Sequence, residues 1–145
     1  MTGPSIAVLG ATGNVGEALL ARLAGSALAG GVVAAYASRA TRRETVDFGG
    51  RSLPVRTLAE AADSGASLVF CCLPPALAQR TVPSFTARGA LVIDVGNSCS
   101  GLFAGPLCLP DVRPIDEAAV SRAGGARTPG PIGWMLATVL APLLP

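Results

Sequence analysis

Ser5–Gly16 reads SIAVLGATGNVG: a five-residue apolar run, then glycines at 10, 13 and 16. An apolar run of this length, closed by glycine, predicts a buried parallel strand over Ser5–Leu9. The following Asn14–Ala24 predicts a helix. Val15, Leu19 and Leu23 fall on one face of it, and Glu17 and Arg22 can turn to water. Gly31–Ser38 (GVVAAYAS) predicts a second buried strand. A strand, a glycine loop, a helix and a strand make a βαβ unit, which is right-handed almost without exception.

Working outward, Thr45–Phe48 and Arg51–Arg56 flank Gly49-Gly50 as a hairpin. Ala66–Cys72 (ASLVFCC) and Ala90–Val95 (ALVIDV) predict two more buried strands, with a helix between them inside Ala76–Ala87 that Pro83 should kink or divide. A short strand is expected at Leu107–Leu109, and a short helix over Asp116–Arg122, introduced by Pro114. The final apolar helix is expected over Trp134–Leu144, interrupted at Pro142. Strands alternating with helices predict an α/β fold, a Rossmann-like doubly wound and mostly parallel sheet, in a single domain of 145 residues.

Composition removes several chemistries. Half of the residues are hydrophobic and 14% are charged, which argues against disorder. The net charge of +2 is too small to argue for nucleic acid or a membrane surface. All 11 basic residues are arginine, with neither lysine nor histidine. A histidine base, a Ser-His-Asp triad, a Schiff-base lysine and a P-loop lysine are therefore excluded. The four cysteines, Cys71, Cys72, Cys99 and Cys108, form no Cys-x-x-Cys pair, so no metal site is expected. The apolar stretch Ala18–Ala37 is broken by Arg22 and Gly30-Gly31, and reads as helix, turn and strand rather than a membrane span. A strand starting at Ser5 leaves no room for a signal peptide, and the expected location is the cytoplasm.

Three glycines between the first strand and first helix stand where a dinucleotide loop must be. The first permits the tight turn, the second lets backbone approach a pyrophosphate, and the third lets helix pack on sheet. Outside a βαβ unit the same glycines would be read as a turn only. Helix-start amides and the macrodipole favour an anion there, the dipole by about 0.3–1 kcal/mol. Gly10, Thr12, Gly13, Asn14, Val15 and Gly16 are the candidate diphosphate contacts. At the end of the second strand an NAD site usually places an acidic residue; here stand Ser38 and Arg39, with Arg42 and Arg43 close behind. Arginine and serine suit a ribose 2′-phosphate, through charge-assisted bonds of about 1.5–3 kcal/mol, so NADP(H) is expected over NAD(H).

GATGNVG, YASRATRRETVDFGG, LVFCCLP, VIDVGNSCS and LCLPDVRP follow one another in an order that resembles the N-terminal, nucleotide-binding half of the aspartate-semialdehyde dehydrogenases and their non-catalytic relatives. LVFCCLP is also similar, more weakly, to acetylglutamyl-phosphate reductases. The resemblance implies oxidoreductase chemistry in amino-acid biosynthesis: a cysteine attacks an aldehyde, hydride passes to NADP+, and phosphate releases an acyl phosphate. It also implies a nucleophile at the start of a helix, and that position falls on Pro131 within Thr128-Pro129-Gly130-Pro131. The family's phosphate-gripping arginine corresponds to Ser100 and an asparagine to Arg113, while its histidine base belongs to a second domain absent from residues 1–145. No catalytic residue is therefore expected. Cys99 is the thiol best placed to substitute for the nucleophile, but no histidine exists to deprotonate it. Asp94 and Asp111 are read as capping or hydrogen-bonding residues, and Cys71, Cys72 and Cys108 as small core residues.

Two functions stay open: the NADP(H)-binding part of such a dehydrogenase, inactive alone, or a non-catalytic paralogue acting as a nucleotide-sensing or interaction subunit. A short-chain reductase is set aside, because Tyr36 is the only tyrosine and its chemistry wants a Tyr-x-x-x-Lys pair. The helix Trp134–Leu144 is apolar on more than one face, so a partner, a second copy or a missing domain is expected to cover it, unless the sheet does.

Overall fold

A computed structural model describes residues 3–38 and 44–143. Their strands are β1 (Ser5–Leu9), β2 (Val32–Ala37), β3 (Thr45–Phe48), β4 (Arg51–Thr57), β5 (Leu68–Cys71), β6 (Leu91–Asp94) and β7 (Gly125–Arg127). The helices between and after them are α1 (Asn14–Ala24), α2 (Leu58–Ala61), α3 (Pro75–Thr86), α4 (Glu117–Ala123) and α5 (Pro131–Leu140). The strands make one sheet in the order β3-β4-β2-β1-β5-β6-β7, parallel throughout except for the β3–β4 hairpin.

Period-two alternation sorts β1 into two cores. Ala7 and Leu9 join Val69, Cys71 and Val92 under the Ala78, Val82 and Phe85 face of α3. Ile6 and Val8 join Ala35 and Ala37 under Leu20 and Leu23 of α1. Each buried leucine of this kind contributes about 1.5–3 kcal/mol. Helices covering both faces explain why the strands read as unbroken apolar runs. From β1 the chain crosses through α1 to β2 on one side; from β5 it crosses through α3 to β6 on the other. The crevice between those departures, at the carboxyl ends of β1 and β5, is where such sheets bind ligands.

Several expectations need correction. Val15 is 51% exposed, and the buried face of α1 is Gly16, Leu20 and Leu23. The close approach of Gly16 to Gly10 rotates that face inward and leaves Val15 facing out. Pro83 does not divide α3, which runs unbroken through it. Pro83 and Gln79 both lie on the exposed side, so the carbonyl that loses its helical donor is met by water. At Leu107–Leu109 there is no strand but one parallel bridge, Leu107 to Arg127. The seventh strand is instead β7, whose Gly-Ala-Arg carries no apolar period. Gly125 is required there, because a Cβ on it would lie 2.3 Å from the Val92 carbonyl oxygen. Neither α2, with its Thr57–Glu60 capping box, nor the 3₁₀ turn Ala27–Gly30 was expected. The last α-helix starts at Pro131 rather than Trp134 and gives way at Ala141–Leu143 to a 3₁₀ turn across Pro142. The sheet does not bury it: no residue of α5 is buried. Arg39, Arg42, Arg43 and Leu144 lie outside the described residues. Among the described residues no helix is long and apolar enough to cross a membrane.

Candidate nucleotide site

The loop leaving β1 is tied down from beneath. The amides of Gly10 and Ala11 both donate to the carbonyl of Tyr36 at the end of β2, at 2.8 and 3.0 Å. Gly10 has φ +83°, and a Cβ there would sit 2.6 Å from the Cys72 carbonyl oxygen. Gly16 is more constrained still: its Cβ would fall 2.2 Å from the Gly10 oxygen and 2.8 Å from Ala11 Cα. Both glycines are therefore demanded by the fold itself.

Gly13 is different. An added Cβ would meet only the Gly10 oxygen, at an ordinary 3.5 Å, and the residue is exposed. It is the N-cap of α1, with no side chain to satisfy the first turn. Its carbonyl accepts from Glu17 at 2.9 Å, which makes that the first amide held within the helix. The amides of Asn14, Val15 and Gly16 precede it and have no intrahelical acceptor. Asn14 and Val15 are exposed and Thr12 is half-buried. An anion at this helix start would meet several N–H donors and the positive end of the dipole. Ser38 is half-buried immediately after β2, on the far side of the Tyr36 anchor.

The ends of β5 and β6 form the adjoining floor. Cys72 donates its amide to Leu9, and Val95 donates to Cys71, at 2.9 and 3.0 Å. Asp94 is completely buried. One of its carboxylate oxygens accepts from the amide (3.0 Å) and hydroxyl (3.2 Å) of Ser98, and the other from the amide of Cys99 (2.8 Å). Asn97, at φ +54°, makes the turn that folds this loop back, in a region that asparagine tolerates. Asp94 thus has the hydrogen-bonding role expected of it.

Thr128 ties the start of α5 to the same floor. Its amide donates to the Asp94 carbonyl and its hydroxyl to that of Val95, each at 2.9 Å. Pro131 consequently stands exposed at the first position of α5, close to the end of β6. Ser100 and Arg113 are both exposed. Cys99 does not offer a free thiol: it is buried, and its side-chain contact with Cys71, reinforced by burial, raises its pKa. That contact makes Cys71 the easier of the two to ionise. Burial pushes the neighbouring Cys72 thiol up to about 12. The sequence reading missed the meeting of Cys71, Asp94 and Cys99. A signal existed, because parallel strands of equal length, LVFC and LVID, set Cys71 opposite Asp94.

Comparisons with known proteins agree with this geometry. The family model described as semialdehyde dehydrogenase, NAD binding domain, matches residues 5–118. An aspartate-semialdehyde dehydrogenase of Synechocystis is 28% identical over 138 residues, which cover 95% of this chain and 40% of that protein. Among solved structures, aspartate semialdehyde dehydrogenase II of Vibrio cholerae superposes with TM-score 0.84 at 23% identity, over 98% of this chain and 46% of the other. The enzyme of Candida albicans, solved with NADP, superposes with TM-score 0.72 at 22% identity, over 98% and 47%. The chain therefore spans less than half the length of each. By its glycine loop, sheet order and family match, it belongs to the semialdehyde dehydrogenase family, through that family's NAD-binding domain.

Proposed function

We propose that this chain binds NADP(H) on the Gly10–Gly16 loop as the nucleotide-binding part of an aspartate-semialdehyde dehydrogenase-like oxidoreductase, and that it does not turn over alone. Amides around Thr12, Gly13, Asn14, Val15 and Gly16 receive the diphosphate, with Gly10 shaping the turn. Ser38 and Arg39 receive the 2′-phosphate. The bound nicotinamide supplies the hydride chemistry. The observation that carries the reading is Gly13: among the described residues nothing packs closely enough to require a glycine there, whereas a ligand seated on the exposed helix start would. The NADP-bound relative of the same fold supports the choice of cofactor class.

Catalysis by this chain is not expected. Pro131, at the position that the resemblance gives to the family's nucleophile, has no side-chain heteroatom, and loss of a nucleophile alone costs about four to six powers of ten in rate. The resemblance places the family's histidine base in a second domain, and this chain matches only 40% of the Synechocystis relative's length. The uncovered face of α5 favours work inside a larger assembly, against a missing domain, a second copy or a partner. That observation also keeps the second reading alive, a non-catalytic nucleotide-sensing subunit.

Calorimetric titration with NADPH and NADH tests the proposal. Wild type binds NADPH more tightly than NADH. Gly13→Ala weakens both at least tenfold, with a loss of stability no larger than the roughly 1 kcal/mol that alanine costs at a helix N-cap. Arg39→Ala weakens NADPH alone, by about tenfold to a hundredfold, the equivalent of 1.5–3 kcal/mol. No heat and no thermal shift with either nucleotide would overturn the assignment, and equal affinities unchanged by Arg39→Ala would overturn the NADP preference. Phosphate-dependent reduction of NADP+ by aspartate semialdehyde would overturn inactivity.

A further inference from the structure

We propose that Cys71, Asp94, Cys99 and the hydroxyl of Ser98 form a closed structural zinc site at the carboxyl ends of β5 and β6. The strand register sets Cys71 opposite Asp94, and the turn at Asn97 returns Cys99 to the same point. The two sulfurs and a carboxylate oxygen all lie within 4.8 Å of one another, and all three residues are buried. The Ser98 hydroxyl oxygen completes a four-cornered set, at 3.7 Å from Cys71 Sγ, 4.0 Å from Cys99 Sγ and 3.2 Å from Asp94 Oδ1. Zinc held tetrahedrally at about 2.0–2.3 Å separates its ligands by about 3.3–3.8 Å, so little movement is needed. Two soft sulfurs with hard oxygens suit this borderline ion better than magnesium or calcium.

Burial of the carboxylate adds to the geometry. Asp94 is 0% exposed, and among the described residues no arginine lies within ion-pair distance of it. A zinc ion would bind this carboxylate directly; because two thiol protons leave as it binds, the net charge of the site is unchanged, and what the ion adds is coordination of buried ligands. Burial also fixes the kind of site. With all three ligand residues buried, substrate has no access to the ion, which enters as the chain folds. Binding replaces two S–H bonds with two Zn–S bonds and releases two protons to solvent. The site would clamp the β5 and β6 ends that floor the glycine loop, without touching nucleotide.

The test uses purified, reduced protein. Metal analysis is expected to give one zinc per chain in wild type and in Cys72→Ser and Cys108→Ser. Co2+ added to chelator-stripped protein is expected to produce sulfur-to-cobalt charge-transfer absorption, lost on Zn2+ addition and weakened at least tenfold in affinity by Cys99→Ser. Should Cys99→Ser fail to fold, the wild type still decides: chelation lowers its melting temperature, and Zn2+ but not Mg2+ restores it. Absence of the absorption in folded, reduced wild type, an undiminished band in Cys99→Ser, or a Cys71–Cys99 disulfide found by peptide mapping would overturn the site.

Discussion

Helices α1 and α5 begin alike and end in opposite surroundings. Each follows an extended glycine N-cap, Gly13 or Gly130, with no side-chain cap. The first carries Glu17 and Arg22 yet buries Gly16, Leu20 and Leu23. The second, PIGWMLATVL, has no charge at all and buries nothing. Ile132, Met135, Leu136, Val139 and Leu140, spaced along one helical stripe, are all 47–74% exposed. Apolar content therefore does not decide which helix the sheet receives. What decides it is a complementary surface: Gly16 lets the α1 backbone lie on the Gly10 turn, and nothing equivalent draws α5 onto the strands. The apolar stripe on α5 records a demand for cover that residues 3–38 and 44–143 do not meet.

The sharpest way to break this contrast is one substitution made on both helices. Leu20→Ala removes a side chain with 0% exposure and is expected to cost about 2–5 kcal/mol in urea unfolding. Leu136→Ala removes one that is 56% exposed and should change stability by no more than about 0.5 kcal/mol. Similar losses at both positions would mean that α5 is anchored after all. A glycine pair follows, with a smaller effect. Gly16→Ala drives a Cβ against backbone that cannot retreat and should cost up to about 3 kcal/mol. Gly133→Ala meets only Pro129 Cβ at 3.5 Å and should stabilise by about 0.5–1 kcal/mol, the ordinary helix preference for alanine over glycine. A harmless Gly16→Ala would remove the close approach on which the α1 packing argument stands.

The same contrast explains how much could be read from the sequence. β1, α1, the glycine loop and β2 were legible because local pattern and tertiary role coincide: the glycines sit at the turn, and β1 residues are apolar on both faces because both faces are covered. The hairpin was legible from Gly49-Gly50, with φ of +62° and +81°. Elements set by long-range partners were not. β7 exists because Gly125 can lie against Val92, and no three-residue window announces that. The face of α1 was misplaced by one residue because a bare glycine outranked Val15 in packing. At the candidate site, Gly10, Gly13 and Gly16 all look alike in sequence. Only their packing separates Gly10 and Gly16, which the fold requires, from Gly13, which meets no close neighbour among the described residues. Cys71 and Cys99 are separated by an intervening helix and strand, so spacing rules written for adjacent cysteines pass over them.

The smallest expected change in stability comes from recharging the outer stripe of α5. Met135→Glu with Val139→Glu places two carboxylates where the parent side chains are 67% and 68% exposed. No buried contact is lost, so unfolding free energy should move by no more than about 0.5 kcal/mol. Surface behaviour should change much more. A contiguous apolar stripe binds hydrophobic fluorescent dyes and promotes concentration-dependent light scattering, and two charges in its middle should suppress both. A sharp fall in melting temperature would show that the stripe already packs within the chain. Dye binding left unaltered would place the exposed apolar surface elsewhere, for example around Leu107 and Ile115, at 40% and 44% exposure. Suppression at constant stability would leave α1 as the helix the fold consumes and α5 as the one it presents.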